Sequence, residues 1–143
     1  LVGLAHLARL VRWAGWRTWE EKLVVVLHVA YAFVGLGFLL LAASLLGAPL
    51  APSAALHAWT IGAIGMMTLA VMTRASLGHT GRPLHATPAI SIIYFGAFVA
   101  ALARIAMGFG GLELLFLHLA AVGWLVAFAG FFLVYRPILT TPR

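Results

Sequence analysis

The chain contains no cysteine. That absence excludes disulfides, thiolate copper sites, cysteine-ligated iron–sulfur clusters and covalently attached c-type heme within these residues. Acidic residues are nearly absent as well: Glu20, Glu21 and Glu113 are the only carboxylates, and all three stand at the ends of apolar runs. No buried carboxylate is therefore placed for general acid–base work, and nothing resembles a Ser/His/Asp hydrolase or a zincin. Charge as a whole is scarce, 8% of residues against about 25% in a soluble globular domain. A water-soluble protein is excluded on that ground.

What remains is 64% hydrophobic over 143 residues. Water penalises that much apolar surface, and a bilayer does not. The net charge of +6 comes from nine Lys and Arg. They crowd at the ends of apolar runs, as juxtamembrane residues do, whereas a nucleic-acid binder would carry them on a polar face. No nucleic-acid partner is expected; the partner is the lipid bilayer.

The pattern predicts an all-α membrane protein, a single helical domain of four antiparallel transmembrane spans at about 23–46, 54–73, 88–109 and 112–135. Residues 1–19 precede them, mixing His6, Arg9, Arg12 and Arg17 with Trp13, Trp16 and Trp19. Tryptophan beside arginine marks the membrane–water interface. This segment reads either as an interfacial amphipathic helix or as the end of a truncated transmembrane helix, and its apolar start favours the second. The chain is expected to be part of a longer protein, completed by further spans or by an equivalent chain. Gly47-Ala48-Pro49 should stop the first span, Ser53 should cap the second, and Thr87 before Pro88 should start the third. Residues 74–87 are expected to form a polar loop, and Pro137 to close the fourth span. The loops near Gly47 and Gly110 carry no Lys or Arg, so the positive-inside rule places both termini and the Gly78–Arg82 stretch in the cytoplasm.

Six histidines are the chemical resource of a membrane chain without cysteine. Neutral imidazole binds heme iron, copper and zinc, and a buried histidine serves equally well as a hydrogen-bonding bridge between helices. By depth they form two layers. His57, His118 and Arg104 lie toward the outer ends of their spans, suited to axial ligands with an arginine for a heme propionate; Arg104 could equally snorkel to headgroups. His28 and His79 lie toward the inner side and could hold copper or a second heme, with His6 and His85 as bystanders in basic segments. His57 and His79 are the leading pair. About 22 residues of mostly helix, roughly 30 Å, separate them, so they cannot share one metal. Met66, Met67 and Met72 suit copper(I), though methionine in an apolar helix more often packs. Histidine pairs stacked on single helices, as in cytochromes b, are absent.

From His57 to Leu84 the chain carries Gly62, Gly65, Thr68, Met72 and Arg74, then Gly78-His79-Thr80-Gly81-Arg82. A phosphate-loop reading fails, because Lys-Ser/Thr and a preceding strand are missing. These residues resemble the signature of the NnrS family. Leu27-His28 with Tyr31, and the closing Pro137-Ile138-Leu139 to Pro142-Arg143, are similar to its pattern too. The resemblance implies a bacterial inner-membrane protein that binds heme b and copper and takes part in the nitric oxide, or nitrosative, stress response. It also implies a departure: the family's usual chain is much longer, and its N-terminal His- and Glu-containing motif has no counterpart here. The alternative reading is a metal-free helical bundle with a packing or transport role.

Overall fold

A computed structural model describes residues 1–140. The Pro142-Arg143 part of the family-like ending lies outside the described residues. Among those described the chain is helical and has no strand. Four helices are long and apolar enough to cross a membrane: α2 (Lys22–Leu45), α3 (Ser53–His79), α4 (Pro88–Phe109, its last turn a 3-10 helix) and α5 (Glu113–Thr140). A shorter helix, α1 (Val2–Arg12), precedes them.

α1 packs lengthwise on α2 and runs antiparallel to it. Its Gly3 touches the Gly35 and Leu39 level of α2, His6 reaches Tyr31 and Phe38, and Trp13 reaches His28 and Tyr31. Glycine is required at the crossing: a Cβ on Gly3 would lie 2.8 Å from the Gly35 carbonyl oxygen. The contacts fall on the face of α2 where small residues flank His28 and Tyr31, as expected for a helix-packing side. α1 therefore lies at bilayer depth against a spanning helix, not flat on the surface.

α3 begins at Ser53 with Pro52 in the cap position, and the Ser53 hydroxyl makes no capping bond. The expected Ser53 cap is not formed. Nor does α3 end near Thr73; it continues to His79. Leu77 is buried and keeps the helix attached to the core. The turn after it is closed by the Arg82 amide donating to the Leu77 carbonyl (2.9 Å) and the Gly81 amide to that of Gly78 (3.0 Å). With Gly81 at φ 61°, this is a Schellman termination, which needs the left-handed conformation glycine adopts at no steric cost. The polar loop is thus 80–87, shorter than expected from composition. Within α3, Ala58–Gly65 form a π-helical segment, whose wider turns rotate everything after it relative to a plain α-helix.

At α4 the expected start is found: the Thr87 side chain accepts from the Ile90 amide at 3.3 Å, with Pro88 in the first turn. α5 runs through Pro137 to Thr140. A proline removes one ladder bond, but in a membrane helix this does not force an end, and here the expected closure at Pro137 does not occur.

α4 is the central helix. Half of its span is buried within the bundle, against 17% for α5. Ala97, Ala100 and Ala101 of α4 and Ala120, Gly123 and Ala127 of α5 are buried. Small residues bring helices together where lipid removes the hydrophobic drive to associate. The same device works between α2 and α3, where Gly37 receives the Trp59 ring and Gly62 receives Phe33.

Candidate functional site

His57 closes the first α-helical turns of α3, immediately before the π segment. Arg104 lies in the last turns of α4, and its Nη2 stands 2.9 Å from His57 Nε2. Guanidinium can only donate, so His57 accepts through the Nε2 lone pair and carries its proton on Nδ1. The second Arg104 arm reaches Met107 Sδ at 3.5 Å. A connection cap sits beside this pair: the Ala51 amide donates to the Gly108 carbonyl (2.8 Å), and Ala54 occupies the space a Gly108 side chain would need. Two residues of the expected outer set are therefore joined directly, and Arg104 binds histidine in place of snorkelling. The third, His118, is exposed on α5, with Nδ1 2.6 Å from the Leu114 carbonyl of its own helix.

His28 is half-buried on α2, and its Nδ1 lies 3.0 Å from the Val24 carbonyl. A carbonyl only accepts, so Nδ1 is the donor and the Nε2 lone pair of the neutral ring is left free. The turn after α1 lies directly over this ring: a Cβ on Gly15 would meet His28 Cδ2 at 2.6 Å, so only glycine fits. Beside it is a cavity of about 360 Å³ lined almost entirely by apolar side chains, among them Val11, Trp16, Trp19, Val25 and Val29. Trp13 meets the ring edge-on at a centroid distance of 6.2 Å.

His79 is exposed at the last helical position of α3. It lines a different cleft of about 350 Å³, with Leu27, Arg74, Gly78 and Leu84. His28 and His79, expected to share a layer, thus open onto separate cavities. Of the motif residues, Gly62 and Gly65 are buried helix contacts, Thr68 is exposed, and Gly78, Thr80, Gly81 and Arg82 build the helix termination that presents His79. Thr80 adds hydroxyl bonds to the Ser76 and Leu77 carbonyls. His85 is exposed in the loop. His6 is more than a bystander: its Nδ1 lies 2.8 Å from Tyr31 Oη, and its ring stacks on Phe38. Met66 is buried in the core and Met72 is exposed.

Sequence reasoning missed several residues that shape these sites. Trp59 donates from Nε1 to the Val34 carbonyl of α2 at 3.1 Å, pinning the π segment. Thr73, Tyr94 and Tyr135 meet at a buried polar cluster. Thr73 bonds the Ala70 carbonyl and the Tyr94 hydroxyl, and the fully buried Tyr135 hydroxyl lies beside them. Buried tyrosine normally finds a partner, and only spacing on three separate helices could have signalled this one.

Among the described residues no three of His, Asp or Glu converge into a metal-ion cage. A copper site of three or more histidine or carboxylate ligands is therefore not assembled among the described residues. An imidazole ligand for heme would fit at His28, where a fixed Nδ1–H and a free Nε2 stand beside an open apolar groove.

A bundle of apolar helices with histidines set at both ends, one bonded to an arginine across helices, defines a polytopic all-α membrane protein. The chain belongs to the NnrS family: the family model described as "NnrS protein" matches residues 1–143, its whole length. It is thus an NnrS-type protein related to nitric oxide stress. The match extends well beyond the His57–Leu84 stretch that carries the resemblance most plainly. No curated protein and no solved structure matches the chain.

Proposed function

We propose that this chain is a heme-binding bundle of an NnrS-type protein, acting in the nitric oxide stress response from a bacterial inner membrane. The observation that supports it is the His28 site: a half-buried imidazole with Nε2 free, Nδ1 tied to the Val24 carbonyl, and a largely apolar cavity alongside. His28 would hold the iron, and the Val24 carbonyl would fix the tautomer. When bound, heme would supply an iron centre able to take a diatomic ligand. His57 is the weaker candidate, since Arg104 already occupies its Nε2. His118, with Nε2 free on an exposed face, would ligate only with a further helix beside it. Copper would need donors from outside the described residues, with His79 as this chain's contribution. The distribution of Lys and Arg at the span ends supports an orientation with the Lys22 end of α2, the His79 end of α3 and the C-terminal end of α5 in the cytoplasm; the start of α1, packed at the level of Gly35, would not lie there.

The test is spectroscopic. Purified protein supplied with heme should show a Soret band that His28→Ala removes and His57→Phe retains, both variants remaining helical and monodisperse. A Soret band unchanged in His28→Ala would refute the assignment. A second reading, a bundle whose histidines only hold helices together, is favoured by two observations. His57–Arg104 and His6–Tyr31 both bridge helices. Under it, wild-type protein supplied with heme stays colourless.

A further inference from the structure

We infer that the outward face of α1, formed by Ala5, Ala8, Arg9 and Arg12, docks a further transmembrane helix that carries a carboxylate at the same depth. The starting point is register. His6 contacts Tyr31 and Phe38, and Trp13 contacts His28 and Tyr31. Arg9 and Arg12 lie between His6 and Trp13, so they sit at the level of α2 residues 28–38. His28 is already about 9 Å inside Lys22, counting the helix rise per residue. Both arginines are exposed, on the face of α1 opposite Gly3 and Leu7, which pack on α2. With Ala5, Ala8 and Trp13 they line an open concavity of about 610 Å³.

An arginine at this depth cannot face hydrocarbon without large cost, and such residues normally face protein or a water-filled cavity. Side chains on a helix lean toward its N-terminus. Because α1 runs antiparallel to α2, Arg9 and Arg12 lean away from the Lys22 end and toward the middle of the bilayer. That direction disfavours a lipid phosphate as the partner, since the near headgroups lie the other way. The chain has no acid to offer: neither guanidinium has an acidic partner among the described residues, and Glu20, Glu21 and Glu113 all stand at span ends. A second copy in the same orientation would place its carboxylates at those same levels, so it cannot supply the charge either. Ala5 and Ala8 leave room for a backbone to approach closely, and two guanidiniums favour a carboxylate held by paired hydrogen bonds. The occupant that satisfies all of these is a transmembrane helix from outside residues 1–143 bearing Asp or Glu.

The absence of cysteine makes the experiment direct. A spin label is placed on Ala8→Cys in protein purified from its membrane with partners retained and reconstituted in bilayers. Its motion should be slow, and its oxygen accessibility several-fold below that of the same label on Val122→Cys, an exposed position of α5. Arg9→Glu should raise oxygen access at Ala8, and Arg9→Lys should not. A photo-cross-linker at Ala8 should recover a peptide containing Asp or Glu from outside this sequence. Four results overturn the inference: lipid-like oxygen access at Ala8, access by a water-soluble nickel chelate, label motion that follows the phosphatidylglycerol content of the bilayer, or an Ala8–Ala8 linked dimer. Should Arg9→Glu fail to fold, labelling at Ala5→Cys with both arginines intact decides among the same outcomes. None of these readouts depends on heme.

Discussion

Replacing Gly123 by alanine should loosen α5 from the bundle, and the size of the effect follows from the crossing. A Cβ on Gly123 would lie 2.6 Å from the Gly96 carbonyl oxygen and 3.0 Å from the Ala100 amide nitrogen. Both are backbone atoms of α4, so no side chain can rotate away. To restore an ordinary contact of 3.4 Å the helices must part by about 0.8 Å. A gap of that order forfeits a quarter to a half of each dispersion well along the contact. Overpacking of this kind costs about 1–3 kcal/mol, while exchanging glycine for alanine in a helix returns roughly 0.5–1 kcal/mol. The net is a destabilisation of about 0.5–2 kcal/mol. α5 is held largely by this one face, its span being 17% buried, so the loss should fall on α5 docking and displace His118 with it. The control is Gly65→Ala, whose Cβ would find its nearest neighbours at 3.4 Å and should be neutral or slightly stabilising. Unfolding in mixed micelles by dodecyl sulfate titration compares the two directly. If Gly123→Ala is as stable as Gly65→Ala, the close backbone crossing is not what holds α5.

A double-mutant cycle on His57→Phe and Arg104→Met should return a coupling of about 0.5–1.5 kcal/mol, the range measured for interhelical polar contacts in membranes. A coupling within error of zero would mean the pair contributes no bond. Impermeant thiol labelling of Ala51→Cys and His85→Cys in intact cells should modify only Ala51→Cys, with His85→Cys reached after permeabilisation. Labelling of both from one side would contradict the proposed orientation.

Composition and periodicity alone were enough for the class and the span count. A chain with so few charges must place its helices in lipid, where every backbone group has to be bonded within its own segment. Thr87-Pro88 likewise announced a helix start by local chemistry, and that start is found. The same local rules failed at Ser53, at Thr73 and at Pro137. At Thr73 the outcome was set by what the next turn packs against, since Leu77 carries α3 past Arg74 into the core. The site divided along the same line. That His57, His28 and Arg104 were chemically important could be read from polar residues within apolar runs. Which partner each one has could not. Arg104 meets His57 because two separate helices end side by side beneath the Ala51–Gly108 bridge. The α1 turn closes over the His28 ring because Gly15, thirteen positions earlier, has no Cβ to collide with it. Depth is a property of one helix and is written along it; direction is set between helices, by contacts that no single stretch of sequence contains.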